Sequence, residues 1–299
     1  MDLERRELSQ PLYGSVNVYR VGDTLVDTGH LAAASHKALA SWVADGPDID
    51  NVVLTHPHPD HAGGSLTLSS LAATPHTVFE GVSPILADYD GYLEAIREEL
   101  RHVGVGFEES AVAAVADAYF TRAEASHDVE VARAVEAGDT VSVGKHECEV
   151  LNTPGHNAEH MALWHPDSGT LFAGDLVSPS GHFMFGPLSA DVGAYRDSLE
   201  RVHELDADLL VPGHGPLVSN PNERITDALA KADRAEQGIL DAVRESSGPV
   251  RAQALARDVF DAGGGSAPFL TYVVSAYLTH LEGRGALTVN RRADGIYAE

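Results

Sequence analysis

A cluster of potential metal ligands constrains this chain more than any other feature of its sequence. The segment THPHPDHAGG, residues 55–64, follows an apolar run and places four such ligands within six residues: His56, His58, Asp60 and His61. Alternate residues of an extended segment point the same way, so the first three can converge on one ion, whereas His61 falls out of that alternation. His61 would crowd that ion or serve a neighbouring one, and the spacing therefore suggests two metals. The prolines at 57 and 59 are expected to hold the segment extended.

Three further segments each bring one potential ligand to the end of an apolar run. The runs are residues 148–151, 171–173 and 209–211, and the ligands that follow them are His156, Asp175 and His214. Rigid strands that deliver side chains to loops at one edge are a common scaffold for such sites. The set of five imidazoles and two carboxylates suits zinc, while iron and manganese accept similar sets. An ordinary structural role is favoured over pocket lining for three other histidines: His30, His160 and His182.

The order of these motifs resembles that of the metallo-β-lactamase superfamily of hydrolases, across residues 12–220. The resemblance implies an αβ/βα sandwich with two divalent ions at the edge between its sheets. It implies three ligands for the first ion: His56, His58 and His156. It implies three more for the second ion, with Asp175 as the bridge between the ions: Asp60, His61 and His214. Asp27, in the early segment NVYRVGDTLVDTG, would hold a ligand histidine or a loop, and a simple turn residue is the alternative.

The chemistry implied by the resemblance is hydrolysis by a hydroxide that bridges two metal ions, without a Ser or Cys nucleophile. Asp60 would orient the hydroxide and accept its proton, and it is the predicted catalytic residue. The favoured substrate is a small ester or thioester, as in the glyoxalase-II-like members. Two alternatives stay open: a phosphodiesterase or endoribonuclease of the winged-helix branch, and a persulfide dioxygenase with one iron ion. True β-lactamases usually lack counterparts of His61 and Asp175, so antibiotic hydrolysis is not expected.

The number of cysteines and the hydropathy of the chain indicate the cellular compartment. The single cysteine, Cys148, excludes an internal disulfide and a thiolate-based metal site. The charged N-terminus, MDLERRELSQ, lacks the apolar core of a signal peptide. No apolar stretch approaches the ~20 residues that span a membrane. A cytoplasmic protein without membrane attachment is therefore expected.

The charge of the chain bears on its partners. A net charge of −25 arises from 45 acidic and 20 basic residues, and lysine is rare among the basic ones. Such a composition resembles that of proteins from salt-loving organisms, and the alternative is an acidic protein from a GC-rich genome. Residues 223–299 carry 9 basic and 11 acidic groups, so residues 1–222 hold 23 of the 25 excess negative charges. This region repels polyanions except in high salt, which disfavours nucleic acid and favours a small-molecule substrate.

The pattern of elements predicts an α/β catalytic domain, residues 1–221, and a tail, residues 222–299. Residues 81–127 have helical spacing and are predicted to form a helical insertion that serves as a lid or pocket wall. A helix capped by Ser189 or Asp191 should follow the last strands. Three helices and a hairpin make the tail resemble a winged helix. Its presumed recognition helix, residues 268–281, lacks Arg and Lys, so packing or homodimerisation is favoured over nucleic-acid binding.

Overall fold

Two sheets form the centre of the molecule in the computed structural model, which describes residues 1–11, 14–103, 120–123, 125–178, 190–260 and 267–299. The first sheet has six strands in sequential order, β1 to β6, and pairs antiparallel up to β3 and parallel from β3 onward. Its strands are β1 (Glu4–Gln10), β2 (Gly14–Val21), β3 (Thr24–Val26), β4 (Asn51–Leu54), β5 (His76–Phe79) and β6 (Val131–Val135). The inner parallel strands β3, β4 and β5 are buried on both faces, as in Val52 to Leu54, whereas β6 at the edge is largely exposed.

The second sheet has five strands in the order β11-β10-β9-β8-β7, and only β10 and β11 pair in parallel. Its strands are β7 (Thr140–Val143), β8 (His146–Asn152), β9 (Met161–His165), β10 (Thr170–Gly174) and β11 (Leu209–Pro212). Cys148 lies in β8 with no exposed surface, and burial raises the pKa of its thiol to about 12. The cysteine is therefore an apolar packing residue of this sheet.

Helices cover the two sheets on their outer sides. Those before the tail are α1 (Ala33–Ala44), α2 (Pro59–Thr67), α3 (Ser69–Ala72), α4 (Val82–Ala87), α5 (Tyr89–Val103) and α6 (Val192–His203). The predicted cap of α6 is confirmed for Asp191, whose side chain accepts a hydrogen bond of 2.9 Å from the Ala194 N–H. Helices α4 and α5 lie where the insertion was predicted, and residues 104–119 of that insertion are outside the described residues.

The alternation of side chains along the second sheet produces two hydrophobic cores. Phe172 packs in a core shared with the first sheet, and its ring meets that of Tyr19 edge to face at 6.2 Å between centroids. Its neighbour Leu171 points the other way, into a core shared with α6 and the tail. The layers are thus helix, sheet, sheet and helix, which confirms the predicted αβ/βα sandwich.

The tail contains the three helices and the hairpin that its sequence predicts. Its elements are α7 (Pro221–Glu245), β12 (Val250–Arg251), α8 (Ala252–Phe260), α9 (Ala267–Gly283), β13 (Val289–Arg292) and β14 (Gly295–Ala298). The last strands form a three-stranded sheet in the order β12-β14-β13. Buried residues of these helices, such as Ile239 and Tyr277, belong to the same core as the outer face of the second sheet. The domain boundary at residue 221 and the winged-helix likeness stay predictions.

Arg196 on α6 reaches two acidic residues of α7. Its guanidinium lies 2.6 Å from Asp233 and 3.2 Å from Glu236. Arg284, the residue after α9, approaches the same Glu236 at 2.9 Å. The Arg196 pairs tie the tail to the helix between β10 and β11, whereas the Arg284 pair lies within the tail. Across the described residues, no helix is long and apolar enough to cross a membrane.

Candidate metal centre

The motif at 55–64 is divided between a loop and a helix. His56 and His58 follow β4, and His58 is extended, with φ −60° and ψ 152°. Pro59 then begins α2, so Asp60 and His61 lie side by side in its first turn. The prediction that both prolines keep the segment extended is therefore wrong beyond His58. Pro59 fits the first helical position because its fixed φ suits a helix and it lacks an N–H that would need a partner there.

The second sheet supplies the other three predicted side chains. His156 follows β8, Asp175 follows the last residue of β10, and His214 lies two residues beyond β11. The structure brings all seven together in three overlapping groups whose potential ligand atoms lie within 4.8 Å of one another. These groups are His56 with His58 and His156, Asp60 with His61 and His214, and His56 with His61 and Asp175. The first two match the ligand sets that the resemblance implies, while the ligand roles themselves stay predictions.

The first group consists of three buried imidazoles. Nε2 of His156 lies 3.2 Å from Nε2 of His56 and 2.8 Å from Nδ1 of His58. Burial lowers the pKa of His56 well below its ordinary value and that of His58 to about 4. Neutral imidazoles offer lone pairs, and their convergence is the donor set that zinc and similar cations prefer.

The second group mixes imidazoles with carboxylates. Oδ2 of Asp60 lies 3.4 Å from Nε2 of His214, and Oδ1 of Asp175 lies 3.3 Å from Nε2 of His61. Burial lowers the pKa of His214, but Asp175 and Asp60 outweigh this and raise it to about 10. The pKa of His61 is also raised, because Asp175, Asp27 and Asp60 outweigh its burial. The buried carboxylates thus favour positive charge at this point, which a divalent cation can supply.

Asp175 joins the two groups. Its Oδ2 lies 3.6 Å from Nε2 of His156 and 3.3 Å from Nε2 of His214, while Oδ1 faces His61. Burial raises the pKa of this carboxyl, but His214 and His61 lower it well below its ordinary range. An ionised carboxylate between two sets of nitrogen donors is suited to bridging two cations. The residues present therefore fit a dinuclear metal centre.

The prediction that Asp27 holds a histidine of the motif is confirmed, and that histidine is His61. Oδ2 of Asp27 accepts a hydrogen bond from Nδ1 of His61 at 2.8 Å, which directs Nε2 towards the carboxylates. Oδ1 accepts from the backbone N–H of Thr55 at 2.8 Å, immediately before His56. The backbone of Asp27 has a φ of 60°, a left-handed conformation that Asp tolerates better than most residues. His214 is oriented in the same way, with Nδ1 2.6 Å from the Ser15 carbonyl oxygen.

Sequence reasoning missed three residues that support the site. Nε2 of Gln10 donates to Oδ2 of Asp60 at 3.2 Å. His160 is fully buried and accepts a hydrogen bond from the Asp175 backbone N–H at 3.0 Å, and burial lowers the pKa of its imidazole to about 3. The Tyr195 hydroxyl donates to the carbonyl oxygen next to Asp175, that of Leu176, at 2.7 Å. No sequence pattern pointed to Gln10, whereas the position of His160 four residues after His156 could have indicated its role.

The other two histidines considered for pocket lining differ in outcome. Nδ1 of His30 accepts a hydrogen bond from the Ala32 N–H at 2.9 Å, which is a local loop contact. His182 lies outside the described residues.

Gly213 is a further constraint on the site, since a Cβ there would lie 2.2 Å from Oδ1 of Asp175. The loop that leads to His214 can approach the carboxylate this closely only with glycine at that position.

Comparison with known proteins adds the family. The model of the metallo-beta-lactamase superfamily matches residues 13–214, which include all seven potential metal ligands. The chain belongs to this superfamily. It is 29% identical to a probable metallo-hydrolase of Bacillus subtilis (strain 168), over 95% of this chain and 93% of that relative.

Two further likenesses are a partial relative and a solved structure. A hydroxyacylglutathione hydrolase of Rhodospirillum rubrum is 36% identical, over 39% of this chain and 46% of that enzyme. A metallo-beta-lactamase family protein from Thermus thermophilus superposes with a TM-score of 0.77 and 23% identity, covering 99% of this chain and 97% of the other. The last likeness concerns the fold alone.

Proposed function

We propose that this superfamily member is a dinuclear metal-dependent hydrolase, with zinc as the favoured metal, that acts on a small ester or thioester. The observation that carries the proposal is two groups of three potential metal ligands, all buried except the half-buried His214, joined by the ionised carboxylate of Asp175. Such an arrangement suits two cations and an acyl oxygen between them. A single-metal enzyme would have less use for the second group.

The bound ions would polarise the acyl oxygen of the substrate and lower the pKa of water towards ~7. Asp60 is the residue that we assign to hold this water and accept its proton. Burial raises the pKa of the Asp60 carboxyl, but His61 and His214 lower it below its ordinary value, so the carboxylate stays ionised. The hydrogen bond from Gln10 to Oδ2 restricts the rotation of the carboxylate. Gln10 and Asp27 thereby preorganise the base and a ligand histidine.

The preference for a small acyl substrate rests on charge and on kinship. Excess negative charge in residues 1–222 opposes a polyanion at low salt, and α9 offers no Arg or Lys to hold phosphates. Hydroxyacylglutathione hydrolase, a partial relative, is named for an acylated glutathione, which is a thioester. A neutral ester or thioester meets neither obstacle.

The test compares kcat/KM for a panel of small thioesters and lactones with cleavage of single-stranded RNA, at low and at molar salt. We expect acyl substrates to be preferred under both conditions, and Asp60→Ala to abolish the turnover. RNA cleavage that depends on metal and Asp60, without acyl turnover, would favour the phosphodiesterase alternative. One iron ion per chain together with oxygen uptake on a persulfide would favour the dioxygenase.

A further inference from the structure

Helix α5 begins directly over the metal-binding motif. The hydroxyl of Tyr89, its first residue, donates a hydrogen bond of 2.7 Å to the carbonyl oxygen of Pro57. Pro57 lies between His56 and His58, so this bond fixes the start of α5 beside the first group of imidazoles. A residue one turn further along α5, on the same face as Tyr89, lies next to this contact.

Tyr92 is placed on that next turn. Its ring lies against that of Tyr89, with 5.5 Å between centroids and an angle of 51° between the planes. The side chain is half-buried, but its hydroxyl oxygen is buried and has no hydrogen-bond partner among the described residues. A buried hydroxyl without a partner destabilises the folded protein, so such groups call for a separate explanation.

Two carboxylates near the metal-binding motif act on this hydroxyl. After burial, the groups that most raise the pKa of Tyr92 are the carboxylates of Glu159 and then Asp60. Glu159 lies in the loop between His156 and β9, and Asp60 lies in the first turn of α2. The hydroxyl is therefore close to the two segments that carry donors from both sheets. Because its pKa is raised, it stays protonated and can act as a hydrogen-bond donor.

We propose that the Tyr92 hydroxyl binds the substrate directly, by donating a hydrogen bond to an uncharged acceptor oxygen beside Asp60. The two nearby carboxylates repel an anionic group at this position, so a carbonyl or hydroxyl oxygen of an acyl substrate is the acceptor that fits. The inference rests on the proposed function, and it adds a residue that selects neutral acyl substrates.

The experiment compares Tyr92→Phe with Tyr89→Phe in the full-length, metal-loaded protein. Each variant removes one hydroxyl from the same helix, and of the two only that of Tyr89 has a hydrogen-bond partner in the part of the chain that the structure describes. For Tyr92→Phe we expect kcat/KM to fall about tenfold on the preferred thioester, with unchanged metal content and an unchanged or higher Tm. For Tyr89→Phe we expect a Tm lower by a few degrees, because the Pro57 carbonyl loses its donor.

The remaining outcomes separate this inference from the proposed function. Unaltered kcat/KM in Tyr92→Phe, or a fall in Tm like that of Tyr89→Phe, would overturn the inference while the hydrolase stands. If the wild-type protein turns over no acyl substrate, the proposed function fails. The binding of acetohydroxamate to the wild type and to Tyr92→Phe then tests whether the Tyr92 hydroxyl donates a hydrogen bond to a ligand. A dissociation constant for acetohydroxamate about tenfold weaker in Tyr92→Phe would still support the donor role, and an equal one would refute it.

Discussion

The hydrogen bond between Asp27 and His61 allows the second group of donors to be weakened separately from the first. Asp27→Asn preserves the shape of the side chain, and Asn also tolerates the left-handed backbone at this position. The amide has one acceptor where the carboxylate has two. If its oxygen keeps the bond to the Thr55 N–H, its NH₂ group faces Nδ1 of His61. His61 would then carry its proton on Nε2, which cannot bind a cation in that state.

The size of the effect follows from the burial and geometry of this contact. Asp27 is 3% exposed and His61 is fully buried, and their atoms are 2.8 Å apart. A charge-assisted hydrogen bond in such surroundings contributes about 1.5–3 kcal/mol. Converted to affinity, this is about a 10- to 100-fold loss for the ion held by the second group. The ion held by the first group should be weakened much less, since Oδ2 of Asp27 reaches that group only through the Thr55 hydroxyl, 2.9 Å from Oδ2 and 3.0 Å from Nδ1 of His56.

The assay is a zinc titration in competition with a chromophoric chelator, which yields two dissociation constants, together with metal analysis after dialysis. We expect one constant to weaken and the metal content to fall from near two towards one per chain. Asp23→Asn makes the same chemical change at an exposed position four residues earlier and serves as the control. Equal weakening of both constants, or of neither, would refute the reasoning.

Three other predictions concern the base, the protons and the tail. Asp60→Ala should lower kcat/KM about 100-fold or more but change Tm by only a few degrees, and near wild-type turnover would contradict its role. In metal-free protein the carboxylates around His214 raise its pKa from 6.5 to about 10. Protonated His214 therefore adds to the free energy of unfolding fully below pH 6.5, and this contribution is lost as pH rises through about 10. Thermal melts of chelator-treated protein should therefore fall across that window, whereas those of metal-loaded protein should not, because a cation replaces the proton. Arg196→Ala removes the ion pairs to α7 and should cost about 1–2 kcal/mol, while Arg244→Ala, at an exposed pair, should cost almost nothing in denaturant unfolding.

Salt should stabilise the protein if its acidic surface is an adaptation to brine. The net charge of −25 creates repulsion that added salt screens. We expect Tm to rise between low and molar potassium chloride. An unchanged or lower Tm would leave an acidic protein without salt adaptation.

The positions of the donors were predictable because each follows an apolar run that could only be a buried strand. His156, Asp175 and His214 come from β8, β10 and β11, and the ends of these strands meet at one edge of the sheet. The apolar run that contains Leu171 and Phe172 fits a strand that is buried on both faces. Local pattern was sufficient for these features.

The supporting contacts were not predictable, since they depend on the docking of segments far apart in the chain. Gln10, the last residue of β1, meets Asp60 across 50 residues of sequence. The start of α2 at Pro59 was missed for a different reason. A proline favours both an extended segment and the first position of a helix, and tertiary packing decides between them.

The buried thiol of Cys148 makes the opening of the second sheet measurable. A reagent that attacks thiolates finds almost none while the pKa of this group is held at about 12, so modification requires β8 to become exposed. The second sheet carries His156, Asp175 and His214, whereas the other donors belong to the first. Labelling rates with and without bound cations would therefore report, from the chain's single cysteine, how strongly the ions hold the two halves of the sandwich together.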